Sequence, residues 1–252
     1  MYKILSLDGG GSWAIIQLLT LKDRFGNIRG HEILQKFNLV IANSGGSIVL
    51  AALAENYTLD EAISLFKEKK NREKIFHKNT FKDRYFPVDY LGLFNAGFGP
   101  KYSQKKKKEA FESLFPEIDK VQMNELPKFI GNESLKIVVA TYDALNNRAK
   151  FFKSFSSNPE SYDSVRLTQA INGSSNAPVQ YFDFPARFKA KQSDIYYELW
   201  DGALGGFNNP ILAGIIEAYK LGIDLKTIQV ISLGTSNSLM SSDAKENFWN
   251  WK

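Results

Sequence analysis

The sequence predicts an α/β fold: a three-layer α/β/α sandwich with helices on both faces of a mostly parallel central sheet. Three observations predict it. Short β-rich runs alternate with amphipathic helical stretches along the chain. Runs such as Leu39-Val40-Ile41 are apolar without interruption, the pattern of strands buried on both faces. Three runs also end in small-residue turns, Asp8-Gly9-Gly10-Gly11, Ala42-Asn43-Ser44-Gly45-Gly46 and Asp201-Gly202-Ala203, and open α/β sheets bind ligands at such strand ends.

Taken in order, residues 2–7 read as a buried strand that runs into the glycines, with Ser12 placed to cap a helix reaching about Arg24. Leu39-Val40-Ile41 is a second strand, and Ile48 to Ala54 a helix packed on the sheet. Thr58 and Glu61 form a capping-box pattern before a helix of about 59–70. Residues 75–100 are aromatic and glycine-bearing with weak periodicity, an irregular excursion. A lysine-rich helix follows over 103–115, with Ala110, Phe111 and Leu114 on its apolar side. Lys136 to Tyr142 resumes the sheet, Lys150 to Phe155 is its antiparallel neighbour, and Val165 to Ile171 is helical. Tyr196 to Trp200 is a strand ending at Asp201, Ile211 to Tyr219 a helix closed by Gly222, and Thr227 to Leu233 the last strand.

With 252 residues, 44% of them hydrophobic, the chain can bury one sizeable core, so a single domain over residues 1–252 is expected. There is no cysteine, which excludes disulfides and thiolate metal sites. Two histidines, His31 and His77, do not make a histidine-rich metal centre, and no metal or cofactor is expected. Nothing resembles a signal peptide, and no run of about 18 apolar residues predicts a membrane span. A cytoplasmic protein with peripheral membrane contact is expected. Residues 67–108 hold 13 basic and four acidic residues, a local net charge of +9 against +5 for the whole chain. Such a region suits an anionic surface, and a solvated lysine face is the alternative.

Ala42 and Gly46 flank Ser44 at two residues on either side. A nucleophile on a sharp strand-to-helix turn needs small residues there, so the stretch is a relaxed G-x-S-x-G. The turn sets Ser44 at a helix N-terminus, where developing negative charge is favoured. The three glycines Gly9, Gly10 and Gly11 can aim several N–H groups at one point, as an oxyanion hole requires. The loop lacks the lysine of a P-loop and is not G-x-G-x-x-G, which disfavours nucleotide binding. Neither histidine is placed as a base for the serine, whereas Asp201, at a strand end beside glycine, can reach another strand end.

This set resembles the patatin-like phospholipase family, marked by D-G-G-G, G-x-S-x-G and D-G-[GA] in this order. Gly173-Ser174-Ser175-Asn176-Ala177-Pro178 is similar to its S-S-x-A-P segment, and Asn208-Asn209-Pro210 and Ser232-Leu233-Gly234-Thr235 to its N-N-P and S-L-G-T segments. The resemblance covers about residues 1–236. It implies the patatin fold, Ser44 as nucleophile, Asp201 as its base without a histidine, and the N–H groups of Gly9, Gly10 and Gly11 as the oxyanion hole. It also implies acyl-enzyme hydrolysis of phospholipids or other acyl-ester lipids. The family loop usually continues G-x-[RK]-G, whereas here it reads Gly11-Ser12-Trp13-Ala14. Trp13 reads as a core or helix-packing residue, with acyl-chain contact as the alternative, and Asp8 as structural to the loop.

The apolar stretch Leu91 to Gly99 lies between the basic clusters. It suggests a lid or docking surface, with Phe94 and Phe98 entering the lipid and Lys101, Lys105, Lys106, Lys107 and Lys108 meeting anionic headgroups. Two rival readings stay open: a patatin-fold regulator without catalysis, and a hydrolase of soluble acyl esters or thioesters. Nucleic-acid binding rests on the lysines alone, without an aromatic-interleaved motif, and is not expected. No residue names an activator.

Overall fold

A computed structural model describes residues 1–79, 100–156, 165–178, 181–190 and 195–235. The stretch Leu91 to Gly99, with Phe94 and Phe98, lies outside the described residues.

Four strands form the parallel heart of the sheet: β1 (Tyr2–Leu7), β2 (Leu39–Ala42), β3 (Lys136–Asp143) and β7 (Ile228–Leu233). β1 pairs in parallel with β2 and β7, and β2 with β3. Three strands extend it in the antiparallel sense: β4 (Arg148–Lys153) on β3, β6 (Tyr196–Asp201) on β3, and β5 (Ala186–Lys189) on β6. The sheet is therefore mixed, with order β5-β6-β3-β2-β1-β7 and β4 also on β3.

The side chains alternate between two cores, as the two-residue period of a strand requires. Ile4, Leu39, Ile41 and Val138 face one side, where α9 (Ile211–Lys220) covers them with Ala213 and Ala218. Leu5, Leu7, Val40, Ala42, Ile137 and Val139 face the other, larger core. That core is built with α1 (Ile15–Phe25), α3 (Ser44–Ala54), α4 (Leu59–Lys67), α6 (Gln104–Leu114) and α8 (Leu167–Ser174). The three layers follow. Every residue of α3 from Gly45 to Ala54 is buried, which fits a helix apolar on all sides.

Local chemistry sets the helix ends. Thr58 Oγ1 accepts from Glu61 N–H at 3.3 Å and Glu61 Oε2 from Thr58 N–H at 2.7 Å, the reciprocal capping box the sequence predicts. The expected 59–70 helix is instead broken: Glu68 is extended (φ −71°, ψ 124°), and α5 (Lys69–Ile75) starts in a new direction. Arg72 Nη1 turns back to donate to Phe66 O (3.2 Å) and Lys67 O (2.9 Å), satisfying carbonyls at the end of α4. Ser12 is not a helix cap. Gly11–Ala14 forms a 3-10 turn without a side-chain cap bond, and α1 starts only at Ile15. α2 (Gly30–Leu34) and α7 (Leu126–Ile130) are single-turn helices between the longer ones.

The lysine cluster needs one correction. Lys101, Lys105, Lys106 and Lys108 are exposed, but Lys107 is fully buried. It lies on the inward stripe of α6 with Ala110, Phe111 and Leu114. Its ammonium is bonded inside the protein and cannot meet a headgroup.

Candidate active site

Strand pairing alone brings the two sequence-predicted side chains together. β3 has β4 along residues 138–143, so its other edge is shared by β2 over 136–139 and β6 over 141–143. β2 runs parallel to β3 and ends at Ala42, opposite Val139. β6 runs antiparallel and ends at Asp201, opposite Thr141. The two C-terminal ends thus meet head-on across Ala140. Gly202 has to be glycine at this junction, because a Cβ would stand 2.4 Å from Asn43 Oδ1 and 2.9 Å from Ala140 O.

Ser44 leaves β2 through a tight turn into α3 and adopts φ +49°, a left-handed conformation costly for a non-glycine residue, about 1–3 kcal/mol. Its neighbours permit this. A Cβ on Gly46 would lie 2.4 Å from Leu7 O, and one on Gly45 2.4 Å from Gly11 O. Ser44 N–H donates to Ser174 Oγ at 2.9 Å, and Ser47 Oγ donates to Ser44 O at 2.6 Å.

Asp201 is 4% exposed. Its Oδ1 accepts from Asn43 Nδ2 at 3.1 Å and from Ala203 N–H at 2.9 Å, and its own N–H donates to Asn176 O at 3.1 Å. The Ser44 side chain lines the same cleft as Asp201. Burial pushes the carboxyl above the usual aspartate range, while bonds from Ser44, Ala203 and Asn43 and the charge of Lys107 pull it back. Asn43, Ser174 and Asn176 thus tie the serine to the aspartate, although the sequence singled out Asn43 only as part of the turn and Ser174 and Asn176 only within a family segment.

The glycine loop lies over this junction. Gly9 is not a free donor: its N–H is committed to Asn208 O at 2.8 Å, and its carbonyl accepts from Thr235 Oγ1 at 2.7 Å. Of the three glycines expected to form the oxyanion hole, Gly9 therefore has its N–H already bonded, while the N–H groups of Gly10 and Gly11 find no partner among the described residues. Buried Gln17 holds the loop base by donating through Nε2 to Asp8 O and Leu233 O, both at 2.9 Å. No motif pointed to Gln17. Burial pushes Asp8 up to about 6, against a bond with Asn209 that lowers it.

A cleft of about 790 Å³ opens above the pair and is lined by both Ser44 and Asp201. Phe76, Tyr102, Tyr181 and Phe182 form an aromatic wall, and Lys69, Arg72 and Lys78 add cations. Trp13 belongs to the cleft, not the core, and is 67% exposed, contrary to the packing role expected for it. His31 binds Ala54 O at 2.8 Å at the far end of α3, about 15 Å along the helix from Ser44. His77 does not line the cleft. Among the described residues no group of three or more His, Cys, Asp or Glu is placed to hold a metal, and no helix is long and apolar enough to cross a membrane.

A family model described as patatin-like phospholipase matches residues 5–215. No curated protein matches the chain. Among solved structures, VipD from Legionella pneumophila is 12% identical with a TM-score of 0.39, over 91% of this chain and 49% of that one. ExoU from the type III secretion system of Pseudomonas aeruginosa, in complex with SpcU, is 14% identical with a TM-score of 0.37, over 71% of this chain and 39% of that one. A further structure, of type III effector protein ExoU, is 12% identical with a TM-score of 0.35, over 69% and 39%. The chain spans about half or less of these proteins. Such identities and scores leave the family match as the basis of assignment.

Proposed function

The chain belongs to the patatin-like phospholipase family, and on that premise we propose that it is a lipid acyl hydrolase of the phospholipase A type, working through a Ser44–Asp201 dyad. One observation carries the reading: a serine held at φ +49° on a strand-to-helix turn lines one cleft with a buried carboxylate. Strain at a single exposed-side nucleophile is where functional geometry is stored. We take the described residues as one catalytic domain.

In the proposed reaction Asp201 takes the Ser44 hydroxyl proton as the oxygen attacks an ester carbonyl. Oδ1 already accepts two N–H groups, so Oδ2 receives the proton. The carbonyl oxygen becomes an oxyanion, held by Gly10 and Gly11 N–H. Collapse breaks the C–O bond, and the proton on Asp201 passes to the departing alcohol or lysolipid. Asp201 then deprotonates water, which frees the fatty acid and regenerates Ser44. The cleft supports an amphiphilic substrate: the aromatic wall and Trp13 suit an acyl chain, and Lys69, Arg72 and Lys78 suit an anionic headgroup.

The test compares wild type and Ser44→Ala on phosphatidylglycerol vesicles, monoacylglycerol and a soluble p-nitrophenyl ester, with labelling by a fluorophosphonate. Wild type should release fatty acid and label at Ser44, and the variant should do neither. Equal rates in both proteins would remove the serine from the reaction. Hydrolysis of the soluble ester alone would move the substrate to small acyl esters.

A further inference from the structure

Helix α6 carries four successive lysines, and the third is turned inward. Lys107 is wholly buried. Its Nζ donates to Asn172 O at 2.9 Å, Asn176 Oδ1 at 2.9 Å and Ser175 Oγ at 3.4 Å, and lies 4.0 Å from the Phe182 ring centroid. Each of these oxygens is restricted to accepting. Asn172 presents a carbonyl. Asn176 is oriented by Nδ2, which donates to Phe184 O at 2.8 Å. Ser175 spends its proton on Ile171 O at 2.7 Å. Three acceptors match an ammonium, with three protons and no lone pair, while a neutral amine would turn a lone pair on one of them. The charged groups acting on Lys107 are Asp201 and Asp183. Burial draws its pKa well below the usual lysine range, and the two carboxylates draw it back.

The turn that Lys107 grips at Asn172 and Asn176 holds both halves of the dyad. Ser174 Oγ accepts from Ser44 N–H, and Asn176 O accepts from Asp201 N–H. We propose that Lys107 is a positioning residue for the Ser44–Asp201 pair: its ammonium pins the Asn172–Asn176 turn beneath both groups and supplies the buried counter-charge of Asp201. The proposal rests on the dyad reading above. A cation joined to Asp201 through Asn176 favours the ionised form by its charge, and that is the form able to accept the serine proton. A purely structural lysine would leave the ionisation of Asp201 unchanged, and this difference separates the two roles.

The experiment uses Lys107→Met, of similar length without charge, and Lys107→Arg, with wild type and Ser44→Ala alongside. kcat and KM on a soluble p-nitrophenyl ester are followed against pH, with unfolding measured under the same conditions. In Lys107→Met, kcat should fall about 10- to 100-fold with KM little changed, as misplaced reacting groups do. The acid limb of its kcat/KM profile should move up, as loss of a cation that lowers the Asp201 pKa requires. Lys107→Arg should bring the limb back. A folded Lys107→Met with the wild-type limb, whatever its rate, overturns the proposal. If Lys107→Met does not fold, ¹⁵N NMR of the wild-type lysine side chains decides: an ammonium at neutral pH supports the proposal and a neutral amine overturns it. Wild type no faster than Ser44→Ala is a different result, which sinks the dyad reading and this proposal with it.

Discussion

Replacing Gly46 with alanine should separate activity from stability. The new Cβ would stand 2.4 Å from Leu7 O, 2.6 Å from Leu7 C and 2.7 Å from Asp8 O. These are backbone atoms at the end of β1, which β2 and β7 hold on both sides, so they cannot swing away. An unstrained contact needs about 3.5 Å, so the first turn of α3 has to retreat by about 1 Å. Overpacking of this kind costs about 1–3 kcal/mol. Alanine returns about 1 kcal/mol through its better helix propensity. The net loss should be near 1 kcal/mol, a fall in Tm of about 2–4 °C for a chain of this size. Ser44 sits two residues earlier in the same turn and moves with it, away from Asp201. A displacement of about 1 Å costs on the order of 100-fold in rate. Thermal unfolding and ester hydrolysis, measured on one preparation, should therefore show a small change beside a large one. Wild-type kcat/KM with an equal or higher Tm would refute the close approach of α3 to β1 and the turn geometry built on it.

In Asp201→Asn, kcat on a soluble ester should fall by about 100- to 10,000-fold, the usual contribution of a general base, and a loss smaller than about 10-fold would point to another base. Because burial holds Asp201 above the usual aspartate range, wild-type kcat/KM should decline on the acid side at a pH higher than an exposed aspartate would give. Asp8 binds its proton more tightly folded than unfolded, with a folded value of about 6. Stability should therefore fall as pH rises from the ordinary aspartate value through about 6. Asp8→Asn should flatten that slope in urea unfolding, and an unchanged slope would place its origin elsewhere. Changing Lys101, Lys105, Lys106 and Lys108 together to glutamine should weaken co-sedimentation with anionic liposomes by up to about 1 kcal/mol per lysine at low salt, and unchanged binding would remove this face from the membrane contact.

The sheet was legible because burial on both faces leaves a plain mark: Leu39-Val40-Ile41 and Lys136 to Tyr142 are β-rich runs, and β2 and β3 follow them closely. The meeting of Ser44 and Asp201 was legible from small-residue turns at strand ends. β5 was not. Arg187 and Lys189 alternate in an edge strand whose polar residues face outward, which leaves little apolar signal. The break at Glu68 carries neither Gly nor Pro, and only its backbone angles reveal it. The commitment of Gly9 N–H to Asn208 O joins residues 199 positions apart, beyond any local pattern. Lys107 was concealed by its neighbours in a charge run. Even so, it precedes Ala110, Phe111 and Leu114 by three, four and seven residues, the spacing of one helix face. That spacing was the available signal.

The burial of Asp201 explains why so much of the surrounding chain is polar yet inward-facing. A carboxylate at 4% exposure loses most of its hydration, and an unpaired ion there would simply take up a proton. Asn43 and Ala203 offset part of that cost by donating to it, the nearby Ser44 side chain lowers its pKa, and Lys107 opposes its charge. These four partners come from three places: Asn43 and Ser44 from the β2–α3 turn, Ala203 from the turn after β6, and Lys107 from the inward stripe of α6. Removing any one of them should favour the protonated acid. The sequence requirement for a working dyad is therefore wider than its two residues, and a patatin-like chain that keeps both motifs but lacks an inward cation should show its acid limb at higher pH than this protein does.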